Sequence, residues 1–187
     1  MTSILLRNAR VFNGRDADCA EGQWLRIADG RIQELSSTPL KAPGAEVIDV
    51  AGRTVMPGLI DAHVHVFGSD FNVRRVETLG PAYRTAHAVR MLGHALDCGF
   101  TTVRDVGGGN RSLHLALAEG LARGPRFYYS GRSLSMTGGH GDLRLAEEAP
   151  RYASVCACDS VLANAFAVIA DGVDEVIRAA REELRQG

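Results

Sequence analysis

A chain of 187 residues with 45% hydrophobic and 23% charged residues, 21 glycines and 6 prolines has globular proportions, which exclude collagen-like, low-complexity and strongly charged disordered classes. With 21 basic against 22 acidic residues the net charge is −1, so no basic stripe points to nucleic acid or to an anionic membrane surface. Cys19, Cys98, Cys156 and Cys158 lack the density of a disulfide framework and the paired C-x-x-C spacing of a zinc site, and the apolar run Ile4-Leu5-Leu6 is too short for a signal peptide or a membrane span; both point to the cytoplasm.

Residues 1–57 read as short strands joined by turns. Trp24 to Ala28 and Arg31 to Leu35 flank Asp29-Gly30, a type I′ hairpin signal because both turn positions need positive φ. Val47 to Val50 is extended, and Ala51-Gly52 turns the chain. From Leu59 the pattern becomes strand, loop, helix, repeated. Leu59 to Val66 is predicted as a strand, and Tyr83 to Asp97 as a helix stopped by Gly99. Phe100 to Val106 is the second strand, Gly107-Gly108-Gly109 a tight loop, and Asn110 the cap of the next helix. Pro125 to Gly131 is the third strand. After a long connection from Arg132 to about Cys158, Asp171 is predicted to cap a helix carrying Val173, Val176, Ile177, Ala180 and Leu184 at helical spacing. Alternating βα units imply an α/β fold with a parallel sheet.

The segment from Thr54 to Val66 carries the chemistry. Side chains alternate along a strand, so Asp61, His63 and His65 share one face, while Ile60, Ala62, Val64 and Val66 form the other, which helices would cover. Two imidazoles one strand pitch apart reach a single divalent metal, and nitrogen donors suit zinc, iron, nickel or manganese. Asp61 either fixes a ring tautomer or sits deeper in the core. Asp105, ending the second strand, either orients a ligand histidine or contacts Arg104 or a loop amide. The triple glycine completes no phosphate-loop motif and reads as a tight turn. His87 and His94 are about 10 Å apart along a helix, too far to share a metal. His114 reads as surface, Glu147-Glu148 as a solvated pair, and Cys156 and Cys158 as semi-buried thiols.

Val55-Met56-Pro57-Gly58-Leu59-Ile60-Asp61-Ala62-His63-Val64-His65 resembles the opening strand of the amidohydrolase superfamily. Gly99 to Gly108 and Thr137-Gly138-Gly139-His140-Gly141-Asp142 resemble its imidazolonepropionase-like and prolidase-like (Xaa-Pro dipeptidase) branch. The resemblance implies residues 1–57 as the N-terminal part of a small β-sandwich-like domain and residues 58–187 as the first three βα units of a TIM-type (β/α)8 barrel. It implies one or two divalent metals, zinc favoured, with His63 and His65 as ligands, His140 at the substrate, Asp61 and Asp105 behind the ligands, and hydrolysis of a small-molecule amide, cyclic amide or dipeptide by a metal-activated hydroxide. The family's bridging lysine, two later histidines and aspartate belong to later strands. A complete barrel takes about 250 residues, so the alternative expectation is a catalytically inactive fragment or half-barrel that associates with a complementary chain or as a homo-oligomer.

Overall fold

The computed structural model describes residues 3–145 and 166–187; Cys156, Cys158, Glu147 and Glu148 lie outside them. The chain divides into two compact units, Met1–Pro57 and Gly58–Gly187.

In the first unit, β1 (Ile4–Val11), β2 (Ala20–Ala28), β3 (Arg31–Ser36), β4 (Glu46–Asp49) and β5 (Thr54–Val55) form one mixed sheet in the order β3-β2-β1-β4, with β5 also on β1. The β2–β3 hairpin turns through Asp29 at φ 54° and Gly30 at φ 69°, the left-handed pair that a type I′ turn demands. Along β1, β4 pairs with Ile4–Arg7 and β5 with Arg10–Val11. Between them Asn8 takes φ 55° and donates its side-chain amide to Asp49 at 3.0 Å, which holds the kink that separates the two partners. Leu5, Ala9 and Leu25 are buried. Among the described residues of this unit the strands form a single mixed sheet.

The second unit contains β6 (Leu59–Val64), α1 (Val73–Thr78), α2 (Pro81–Asp97), β7 (Phe100–Asp105), α3 (Arg111–Ala118), β8 (Arg126–Tyr129), β9 (Ser133–Ser135), β10 (Ala167–Ile169) and α4 (Val173–Arg185). Strands β6-β7-β8 make an open parallel sheet, and β9 pairs with β10 in a separate parallel ribbon. Among the described residues no barrel closes. Val66, Phe67, Ala88, Leu92, Val103, Leu113 and Phe127 form the core where the helices lie on the sheet. Helix α2 starts with Pro81, whose missing N–H costs nothing in a first turn. Helix α3 is capped as its sequence predicts, the Asn110 side chain accepting from the Leu113 N–H at 3.0 Å. No helix among the described residues is long and apolar enough to cross a membrane.

Three expectations change. Strand β6 ends at Val64, two residues early, because the Val66 N–H turns away to Asp105. Its outward face is covered only at the C-terminal end: Val66 is buried, whereas Ile60 is 70% exposed. Asp171 does not cap α4. The cap position is Gly172 at φ 80°, and the Asp171 carboxylate instead accepts from the Thr137 N–H at 2.9 Å and hydroxyl at 2.6 Å.

Candidate functional site

His63 stands near the end of β6 and His65 at the first position beyond it, on the rim formed by the C-terminal ends of the parallel strands. Their rings are exposed and meet edge to face, with centroids 5.4 Å apart. Two imidazoles on one tetrahedral ion, with metal–nitrogen bonds of about 2.0–2.1 Å, have centroids on the order of 5 Å apart. Among the described residues neither ring is engaged in a hydrogen bond, so the pair fits a divalent metal as two neutral nitrogen donors. No group of three or more His, Cys, Asp or Glu side chains among the described residues is arranged to hold a metal.

Asp61 is half-buried, and its carboxylate accepts from the backbone N–H of His63 at 3.0 Å. It braces the main chain that carries the first ring and makes no hydrogen bond to the ring itself. The register of β6 on β7 shifts between Asp61 and Val64, where this local bond competes with the ladder.

Asp105 is 0% exposed. One carboxylate oxygen accepts from the Val66 N–H at 2.8 Å, and the other from the N–H groups of Gly107 at 3.0 Å and Gly109 at 2.7 Å. One side chain therefore joins the segment leaving His65 to the glycine loop after β7. Burial pushes this carboxyl above its ordinary pKa, while the three amides and the nearby His65 pull it back. Of the alternatives open from the sequence, loop amides are its partners. The run Asp105-Val106-Gly107-Gly108-Gly109 was the available signal, an acid followed by residues whose amides can fold back on it.

Gly107 is where the loop meets the second ring. A Cβ placed there would lie 3.1 Å from His65 Nδ1 and 3.2 Å from Cε1. Gly107→Ala is therefore expected to displace the imidazole and weaken zinc binding by about tenfold, the scale of a lost ligand support. Calorimetric titration with zinc checks this, and an unchanged affinity would show that the loop does not position the ring.

His140 is exposed on the connection after β9. Its loop is firmly built. Asp142 accepts from the Gly138 N–H at 2.9 Å and pairs with Arg144 at 2.6 Å, and the Gly141 N–H donates to Ser135 Oγ at 3.0 Å. The Arg144 guanidinium and the Gly138 amide hold the Asp142 carboxyl well below the usual range. Arg74 in α1 donates to the Leu143 carbonyl at 2.6 Å, linking the segment that follows His65 to this loop.

Residues 54–187 match the family model described as the Amidohydrolase family. An amidohydrolase crystal structure is similar over 100% of this chain and 45% of its own, at 46% identity and a TM-score of 0.88. A prolidase crystal structure complexed with N-methylphosphonate-L-proline shows the same coverage at 38% identity and a TM-score of 0.88. Ochratoxinase from Aspergillus niger is 37% identical over 140 residues, which is 71% of this chain and 29% of that protein. The chain thus spans less than a third of that curated relative and under half of these two solved structures. With the family model covering most of its length, the chain belongs to the amidohydrolase family.

Proposed function

We propose that this chain supplies the first two metal ligands and part of the substrate wall of a hydrolase that cleaves a C–N bond in a small-molecule amide, cyclic amide or dipeptide. The observation that carries the reading is the pair of open imidazoles, His63 and His65, at the C-terminal rim of a parallel sheet, where α/β barrels hold their active sites. A divalent ion, with zinc suited to two nitrogen donors, supplies Lewis acidity there by polarising a carbonyl and making water a stronger acid. His63 and His65 hold that ion. Asp61 fixes the backbone under the first ring, Asp105 fixes the segment and loop around the second, and His140, on its braced loop, contacts the substrate. The similar prolidase, bound to a proline-containing phosphonate, supports Xaa-Pro dipeptides as the first substrates to try. Coverage of 100% of this chain but 45% of that structure supports residues 58–187 as three βα units of a TIM-type barrel, following residues 1–57 as part of a small β domain.

A second reading, a chain that is inactive until it joins a complementary partner, is favoured by a specific observation. Ile60 on β6 and Tyr128 on β8 are exposed on strands that are both sheet edges, and α4 buries none of its residues although Val173, Val176, Ile177 and Leu184 are apolar. Parallel sheets are normally covered on both faces. Incubation of the zinc-loaded chain with Xaa-Pro dipeptides separates the readings. Hydrolysis by the chain alone, lost in His63→Ala, supports the first. Hydrolysis only after mixing with the C-terminal part of a similar barrel supports the second, and none in either case contradicts Xaa-Pro dipeptides as the substrates.

A further inference from the structure

The Gly58–Gly187 unit holds a second adjacent pair of side chains of metal-ligating type, at the opposite end of its sheet from His63 and His65. His94 and Cys98 lie one turn apart at the C-terminus of α2, both exposed, with Nε2 and Sγ 3.6 Å from each other. Helix α2 leads into the start of β7, and the Leu59 N–H bonds to the Gly99 carbonyl, so the pair sits beside the first residue of β6. His63 is four residues along that strand, roughly 13 Å away at about 3.3 Å per residue.

We propose that His94 and Cys98 form a surface chelate for a soft divalent cation such as zinc. With bonds of about 2.05 Å to nitrogen and 2.3 Å to sulfur at a tetrahedral angle, the two donor atoms must be roughly 3.6 Å apart. The pair already stands at that separation. Binding therefore asks for loss of the thiol proton to solvent and for the His94 tautomer with its proton on Nδ1, leaving the Nε2 lone pair to the metal. The surroundings favour positive charge. A helix C-terminus carries partial negative charge from its unpaired carbonyls, which attracts a cation. Arg123 pairs with Asp97 at 2.6 Å and donates to the Gly93 carbonyl at 3.3 Å, so these two charges compensate each other. Water or a ligand from solution completes the coordination. The His94-x-x-x-Cys98 spacing carries this site in the sequence, because positions four apart face the same way on a helix.

The site does not depend on the hydrolase reading. Its test uses the whole reduced chain with zinc alone. Peptide mapping after timed alkylation measures Cys98 separately from every other cysteine. Zinc is expected to slow modification of Cys98 by about tenfold or more, about 1.4 kcal/mol of protection. That protection is lost in His94→Ala and retained in the His63→Ala/His65→Ala double variant. Cobalt titration gives an independent reading: a thiolate-to-cobalt charge-transfer band in the parent chain that is absent in Cys98→Ser. Zinc-independent alkylation of Cys98, or a charge-transfer band that survives Cys98→Ser, would overturn the proposal.

Discussion

Asp105→Ala is expected to destabilise the Gly58–Gly187 unit severely, by about 3–5 kcal/mol. The substitution strands the amides of Val66, Gly107 and Gly109 without their acceptor in a fully buried position. Each unsatisfied buried group costs about 1–3 kcal/mol; even partial relaxation leaves a loss of about 3–5 kcal/mol against a total stability of about 5–15 kcal/mol. Asp105→Asn keeps the volume and one oxygen but turns an NH2 towards an N–H, so a smaller loss of about 1–3 kcal/mol is expected. Because the Val66 amide follows directly on His65, the Asn variant should also bind zinc about tenfold more weakly while remaining folded. Urea denaturation followed by circular dichroism measures the stability, and zinc calorimetry on the Asn variant measures the affinity. Midpoints and affinity equal to those of the parent chain would remove Asp105 from this account.

Sequence legibility followed the range of the interactions involved. The Asp29-Gly30 hairpin and the Asn110 cap were readable because each is closed by residues within a few positions of one another. Alternation put His63 and His65 on one face, although the strand itself stops at Val64. Asp171 misled because an acid before an amphipathic run is a good capping signal, yet its carboxylate is taken by Thr137, 34 residues earlier. The β9–β10 ribbon was missed for the same reason. Its strands are three residues each and gain their stability from pairing across about a sixth of the chain, which leaves no periodic signature in either. Helix α1 is only six residues long, too short for its apolar spacing to stand out. The triple glycine gave up its turn but not its purpose: two of its amides point into the chain's own carboxylate, which is why it is not a phosphate cradle.

The largest effect on ligand binding is expected at the two imidazoles themselves. Loss of a group that merely supports a metal ligand costs about 10–100-fold in affinity, so loss of either ligand of a two-imidazole site should cost about 100-fold or more. His63 and His65 are exposed, so truncating them removes no core packing, and both variants should melt like the parent chain. The decisive measurement is zinc calorimetry in a Cys98→Ser background, which silences the second cation site. The account predicts one zinc site in the parent, weakened by about 100-fold in His63→Ala and in His65→Ala alike. Undiminished affinity in both variants would contradict it.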